Sequence, residues 1–252
     1  MTLPLRRCLS LVTAVLVATA ALHAELPIIA KARAFVGPES ALNSVKSIHY
    51  VGSLITPDPT DAKKMTYVAV EIFLQSPYRQ RLVASSDKSV EVTALDTYDG
   101  WHRVTDPKDS SRWRMELVNK EQIKRLRANT WENLAFYRGI EREGGKLVDL
   151  GVVSADGVRC RKVAYVHDEH IIFYRYFDET SGRLVLTENE SGVAIREQGE
   201  IRVNGIRFPK AINTTTKSPD GKEQTITLTF DKVTVNESLP DNTFTIPPVS
   251  GR

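Results

Sequence analysis

The chain has 252 residues, with 34 Lys and Arg against 31 Asp and Glu, a net charge of +3, and 41% hydrophobic residues. So balanced a surface gives no electrostatic footprint for nucleic acid, whose binding by counterion release needs a basic face. Two cysteines in this length exclude a disulfide framework and leave stability to the hydrophobic core, which a domain of this size can supply.

Residues 1 to 24 have the three-part form of a secretory leader. Arg6 and Arg7 make a basic start, an apolar run follows from Leu9 to Leu22, and Ala18, Ala20, Ala21 and Ala24 offer small residues for cleavage. The run is about 14 residues long, short of the ~20 that cross a bilayer. The expectation is a cleaved Sec-type signal peptide, a periplasmic mature chain from Glu25, and no transmembrane segment in it. Cys8 precedes the apolar run and so cannot be a lipidated cysteine at the cleavage point. Loss of Arg6 and Arg7 lowers the net charge from +3 to +1. Residues 25–252 contain no linker, low-complexity tract or repeat and read as a single domain.

From Leu26 to Val45 apolar residues near helical spacing, broken at Gly37-Pro38, predict two short helices. Strands follow over Ser47–Thr56, Lys64–Gln75, Tyr78–Ser85 and Ser89–Tyr98, then two more carry Trp101 and Trp113 around a turn at Asp106–Ser111. In the second strand Val68, Val70, Ile72 and Leu74 share one face.

Asn119–Ile140 is the longest helical stretch after the leader, with Asn119 as N-cap and Gly139 near its end. Its apolar stripe is Ile123, Leu126, Trp131, Leu134 and Tyr137, with Lys120, Lys124, Arg125 and Arg127 mostly off it. Three roles fit such a helix: packing on the sheet, a mobile lid over a cavity, or contact with a membrane surface.

Strands resume over Lys146–Ser154 and Val158–His167. Cys160 shares a strand face with Val158, Ala164 and Val166 and reads as a small buried residue, the sharper alternative being a nucleophile served by His167 or His170. The turn His167-Asp-Glu-His170 has metal-capable side chains, but such a tip is usually just solvated and no third histidine is near, so neither metal nor cofactor is expected. From His170 to Val235 five strands succeed one another with turns at Asp178–Gly182, Glu190–Gly192, Asn204-Gly205 and Ser218–Gly221, a β-meander. In its third strand Val193, Ile195, Gly199, Ile201 and Val203 fall on one face and Ala194, Arg196, Gln198, Glu200 and Arg202 on the other.

No nucleophile elbow, phosphate loop, His-Glu-x-x-His or paired-cysteine knuckle is present, and the carboxylates are scattered, so binding is favoured over catalysis. The segments AKARAFVGPESALNSVKSIHYVGSL (30–54), Tyr98-Asp-Gly-Trp101, Tyr176-Phe-Asp-Glu-Thr-Ser-Gly-Arg-Leu184, Asn204-Gly-Ile-Arg-Phe-Pro209 and Val235-Asn-Glu-Ser-Leu-Pro-Asp-Asn-Thr-Phe-Thr-Ile-Pro247 together resemble the LolA/LolB-like periplasmic lipoprotein-sorting carriers. The resemblance implies a mainly β (α+β) fold: one strongly curved antiparallel sheet forming an incomplete barrel, its concave face covered by helices, around an apolar cavity for acyl chains. It also implies a positively charged residue that holds a lid closed, a role matched by no particular arginine at this level.

The expected function is therefore a monomeric, non-enzymatic binder of lipid or lipoprotein acyl chains, lined by Val68, Val70, Ile72, Leu74, Leu126, Trp131 and Leu134. The alternative is a structural or regulatory module that binds an envelope protein through a sheet edge or wet face.

Overall fold

Two-residue alternation dominates the chain, and in the computed structural model, which describes residues 25–58, 61–217 and 221–248, most of it becomes one antiparallel sheet. The leader and most of the Ser218–Gly221 turn lie outside the described residues. Two short helices open the described chain, α1 (Pro27–Val36) and α2 (Glu39–Ser44). Six strands follow: β1 (Ser47–Asp58), β2 (Asp61–Gln75), β3 (Arg79–Ser85), β4 (Val90–Asp96), β5 (Asp99–Asp106) and β6 (Asp109–Leu117). Next come α3 (Lys120–Leu134), β7 (Lys146–Ala155), β8 (Val158–Asp168), β9 (Ile171–Asp178), β10 (Leu184–Asn189) and β11 (Ala194–Gln198). The short pair β12 (Ile201–Val203) and β13 (Ile206–Phe208) precedes β14 (Ala211–Lys217) and β15 (Glu223–Val235). The hairpin of β1 and β2 is longer than its sequence predicts, running through Pro57.

The strand order is β6-β5-β4-β3-β2-β1-β15-β14-β11-β10-β9-β8-β7. The chain thus lays down one meander from β1 to β6, crosses through α3, and lays down a second that ends with β15 paired to β1. The edges β6 and β7 are not paired with each other, so the sheet stays open.

The hydrogen bonds of α3 require that this sheet bend. Thr130 Oγ1 donates to Gln80 Oε1 on β3 at 3.1 Å, while Arg175 Nε on β9 donates to Glu132 Oε2 at 3.0 Å. Those strands are seven intervals apart, ~34 Å on a flat sheet at ~4.8 Å per strand, whereas the helix between them is only ~10–12 Å across. No helix among the described residues is long and apolar enough to cross a membrane.

Two sequence expectations are corrected. The third meander strand does not run from Val193 to Val203: Gly199 takes a φ of 62°, β11 stops at Gln198, and β12 and β13 form a separate two-stranded sheet around the Asn204-Gly205 turn. The alternation does not register this break because β11 and β12 keep the same parity across it. The helix begins as expected, with Asn119 and Gln122 in a reciprocal capping box, but ends at Leu134 rather than Ile140. Phe136 and Tyr137 adopt positive φ (46° and 73°), so Tyr137 leaves the helical stripe. The buried residues of α3 are Ala128, Thr130, Trp131 and Glu132, two of them polar, because the helix is contacted from both sides.

Candidate functional site

Between α3 and the sheet lies a chamber of about 280 Å3. Tyr50 from β1, Ile72 and Leu74 from β2, Phe173 from β9, and Ile212 and Leu228 from β14 and β15 supply much of its apolar wall, which Phe136 and Phe230 complete. A second void of about 320 Å3 adjoins it and shares Val36, Tyr137, Glu197, Arg207, Phe208 and Pro209. A further hollow of about 970 Å3 is an open surface groove between α1, α2 and the β12–β13 hairpin. Its cations are already committed, Arg138 to Glu25 and Glu39, and Arg202 and Arg207 to Glu200.

The polar part of the chamber is built around Glu132. Its Oε2 accepts from Arg175 Nε and Nη2, and its Oε1 lies 2.6 Å from His167 Nε2. Arg175 is 8% exposed and lies 4.8 Å from the ring centre of Tyr137 and 5.5 Å from that of Tyr165. Burial works against its charge, but Glu132, Tyr137 and Tyr165 together outweigh burial and raise the pKa above the ordinary arginine value. Both carboxylate oxygens of Glu132 are used, so this cluster is closed.

Glu197 is different. It projects from β11 on the same face as Ile195, borders both voids and is itself exposed. Burial raises its pKa, and Arg175 opposes the rise only in part. Tyr50 and Thr187, which carry hydroxyls, also border the chamber, each residue being 7% exposed. None of these three groups has a hydrogen-bond or ion-pair partner among the described residues.

Of the residues expected to line a cavity, Ile72 and Leu74 border the chamber. Trp131 is buried but faces a smaller pocket of about 170 Å3 on another side of α3, beside Tyr78 and His167. Val70 is buried opposite Gly52 and Ala84, Val68 is half-buried opposite Leu54, Leu126 is half-buried on α3, and Leu134 packs against the core cluster of Leu74 and Phe136. Sequence reading missed Glu132, Arg175 and Glu197. For Glu197 a signal exists: it is the acid on the otherwise apolar face of its strand.

The nucleophile alternative is contradicted by sidedness. Cys160 packs on one face of β8 with Tyr176, Val185 and Leu186, whereas His167 reaches Glu132 from the other, and His170 is exposed beside Glu169. Burial, with Asp178 adding to it, pushes the Cys160 thiol up, opposite to activation. Nor is His167 a solvated tip residue, since its ring is packed edge-on against Trp131 and Phe173. Among the described residues no three metal-capable side chains converge.

The end of α3 is held in trans. Arg33, 2% exposed on α1, donates through Nη1 to the carbonyls of Phe136 at 2.7 Å and Ala135 at 3.1 Å, and pairs with Glu39 at 2.9 Å. A cation at terminal helix carbonyls satisfies groups that have no intrahelical partner. Three cations of α3 itself are also engaged: Lys124 with Asp168, Arg125 with Glu190, and Arg127 over Tyr78 at 3.7 Å.

No family model and no curated protein matches the sequence. Solved structures do match in fold. A LolA superfamily protein from Nitrosomonas europaea is 14% identical with a TM-score of 0.57, covering 87% of this chain and 96% of that one. An outer membrane lipoprotein-sorting protein domain, so described, from Vibrio parahaemolyticus is 10% identical with a TM-score of 0.53, covering 86% and 94%. A DUF1329 family protein from Desulfovibrio piger is 7% identical with a TM-score of 0.52, covering 86% and 95%. The chain has a LolA-like fold.

Proposed function

We propose, from this LolA-like fold, that the protein is a non-enzymatic binder of a hydrophobic ligand, an acyl chain or another lipid tail held between α3 and the sheet. The observation that carries the reading is the chamber itself, because an interior filled by side chains would leave a carrier no room. An apolar cavity of ~150 Å3 admits benzene, so about 280 Å3 has space for a single tail of roughly ten to twelve carbons. At ~0.8 kcal/mol per buried CH2 such a tail gains ~8 kcal/mol, against ~4–15 kcal/mol lost on association. Tail burial alone thus roughly breaks even. In this reading α3 covers the concave face, Arg33 fastens its end, and the leader of residues 1–24 sends one binding domain to the periplasm. Ile72 and Leu74 touch the ligand, while Val68, Val70, Leu126, Trp131 and Leu134 back the wall.

Native mass spectrometry of protein purified from its own envelope tests this, with a fluorescent fatty acid as probe. A co-purifying lipid and saturable probe binding are expected, and Ile195→Trp, which fills the chamber, should abolish the binding. Absence of both lipid and probe binding in the unaltered protein would defeat the reading.

One observation favours a second reading. Edge strand β7 exposes Val148, Leu150 and Val152, and Ile55, Met65 and Tyr67 stand exposed on the β1–β2 hairpin. An open edge with apolar side chains suits strand addition by an envelope protein. A pull-down returning a stoichiometric protein and no lipid would select this module over the binder.

A further inference from the structure

Glu197, Tyr50 and Thr187 carry an inference about which tails the chamber accepts. It rests on the chamber-binding reading. The Arg175 guanidinium lies against Glu132, whose other oxygen is taken by His167, so that cluster offers a ligand neither a free cation nor a free anion. Arg207, the other cation bordering both voids, is paired with Glu200, so the groups left without a partner among the described residues are the Glu197 carboxylate and the hydroxyls of Tyr50 and Thr187, all on residues bordering the same 280 Å3. Tyr50 and Thr187 are buried residues, and buried polar groups are ordinarily hydrogen-bonded, an unpaired one costing its desolvation. A carboxylate accepts when ionised, and the hydroxyls both donate and accept. The ligand head that completes this set therefore brings donors. A carboxylate or phosphate head would bring a second negative charge next to Glu197.

We propose that the chamber selects single-chain amphiphiles whose head donates hydrogen bonds, a hydroxyl or an ammonium, with Glu197 as acceptor flanked by Tyr50 and Thr187, and that it rejects anionic heads. Glu197 lies where the two voids share their wall, so a head held there leaves the apolar space of the chamber for the tail. Because tail burial only roughly offsets the cost of association, the head decides which tails stay.

The test uses the mature chain and three ligands with one tail: 1-decanol, decylammonium and decanoate at about pH 8, where the last two are fully charged. Each competes against the neutral apolar dye N-phenyl-1-naphthylamine. Decanol and decylammonium should displace the dye about tenfold more effectively than decanoate, a difference of the size expected for hydrogen bonds to a charged group. Glu197→Gln keeps the shape but removes the charge, and should bring decanoate to within about threefold of decanol. Tyr50→Phe removes only a hydroxyl, and should weaken decanol several-fold more than it weakens the dye. Equal displacement by all three ligands in the unaltered protein, or a preference unchanged in Glu197→Gln, overturns the inference while dye binding upholds the chamber. If the dye does not bind the unaltered protein at all, the chamber-binding reading fails first and this inference with it.

Discussion

Glu132 holds His167 and Arg175 at once, and its removal strands a guanidinium in a site that is 8% exposed. Glu132→Ala should therefore cost about 3–5 kcal/mol, read as a drop in the urea midpoint, whereas Glu132→Leu with Arg175→Met should recover much of that loss. Glu197 behaves oppositely, because its carboxylate has no fixed partner and burial raises its pKa above the ordinary 4.5. The folded state then holds the proton more tightly than the unfolded one, so stability falls as pH rises from 4.5 through the raised folded value. Glu197→Gln should match the unaltered protein in thermal midpoint below that window and exceed it above, and identical curves at every pH would refute the burial. Of these residues only Glu197 left a trace in the sequence, as an acid on an apolar strand face. Glu132 and Arg175 sit 43 positions apart in ordinary surroundings, and nothing local marks them as partners.

At the scale of elements, α3 is specified locally at its start and remotely at its end. Asn119 donates no turn chemistry beyond its own helix: its side chain accepts from Gln122 N at 2.9 Å, while Gln122 Oε1 accepts from Asn119 N at 3.0 Å. Asn119→Ala should cost ~1 kcal/mol and speed amide exchange in the first turn alone. Arg33→Ala should cost about 2–4 kcal/mol, since several hydrogen bonds to a charged group vanish, and exchange should rise around Ala135 to Tyr137. Unchanged protection there would remove Arg33 as the fastening of α3. This division explains why the capping box was legible in the sequence and the helix stop was not. The cap is a four-residue pattern, but the carbonyls that end the helix are taken by a side chain 102 and 103 positions away.

At the scale of the molecule, the two meanders meet where β1 pairs with β15, and the register shifts between Val51 and Gly52. A Cβ at Gly52 would stand 2.1 Å from the Thr229 carbonyl oxygen, so the backbones can approach this closely only without a side chain. Gly52→Ala should separate β1 from β15 there and lower the unfolding midpoint by several degrees, with new amide exchange on both strands. A midpoint and exchange pattern equal to the unaltered protein would show that the seam tolerates a side chain.

The sequence by itself determined most strands, their two-faced character, both N-terminal helices, the start of α3 and the burial of Cys160, because periodicity, caps and turn residues act within a few positions. It also carried, in dispersed segments, the resemblance that the LolA-like fold bears out. Only the tertiary structure decided which strand lies beside which, where the long third strand breaks, and which charges meet. It also decided that space remains between α3 and the sheet. The physical reason is one of range. An alternating pattern says which face turns inward, but a void is the difference between the path of the backbone and the volume of side chains from β1, β2, β9, β11, β14 and β15, and no single stretch of the chain contains that difference.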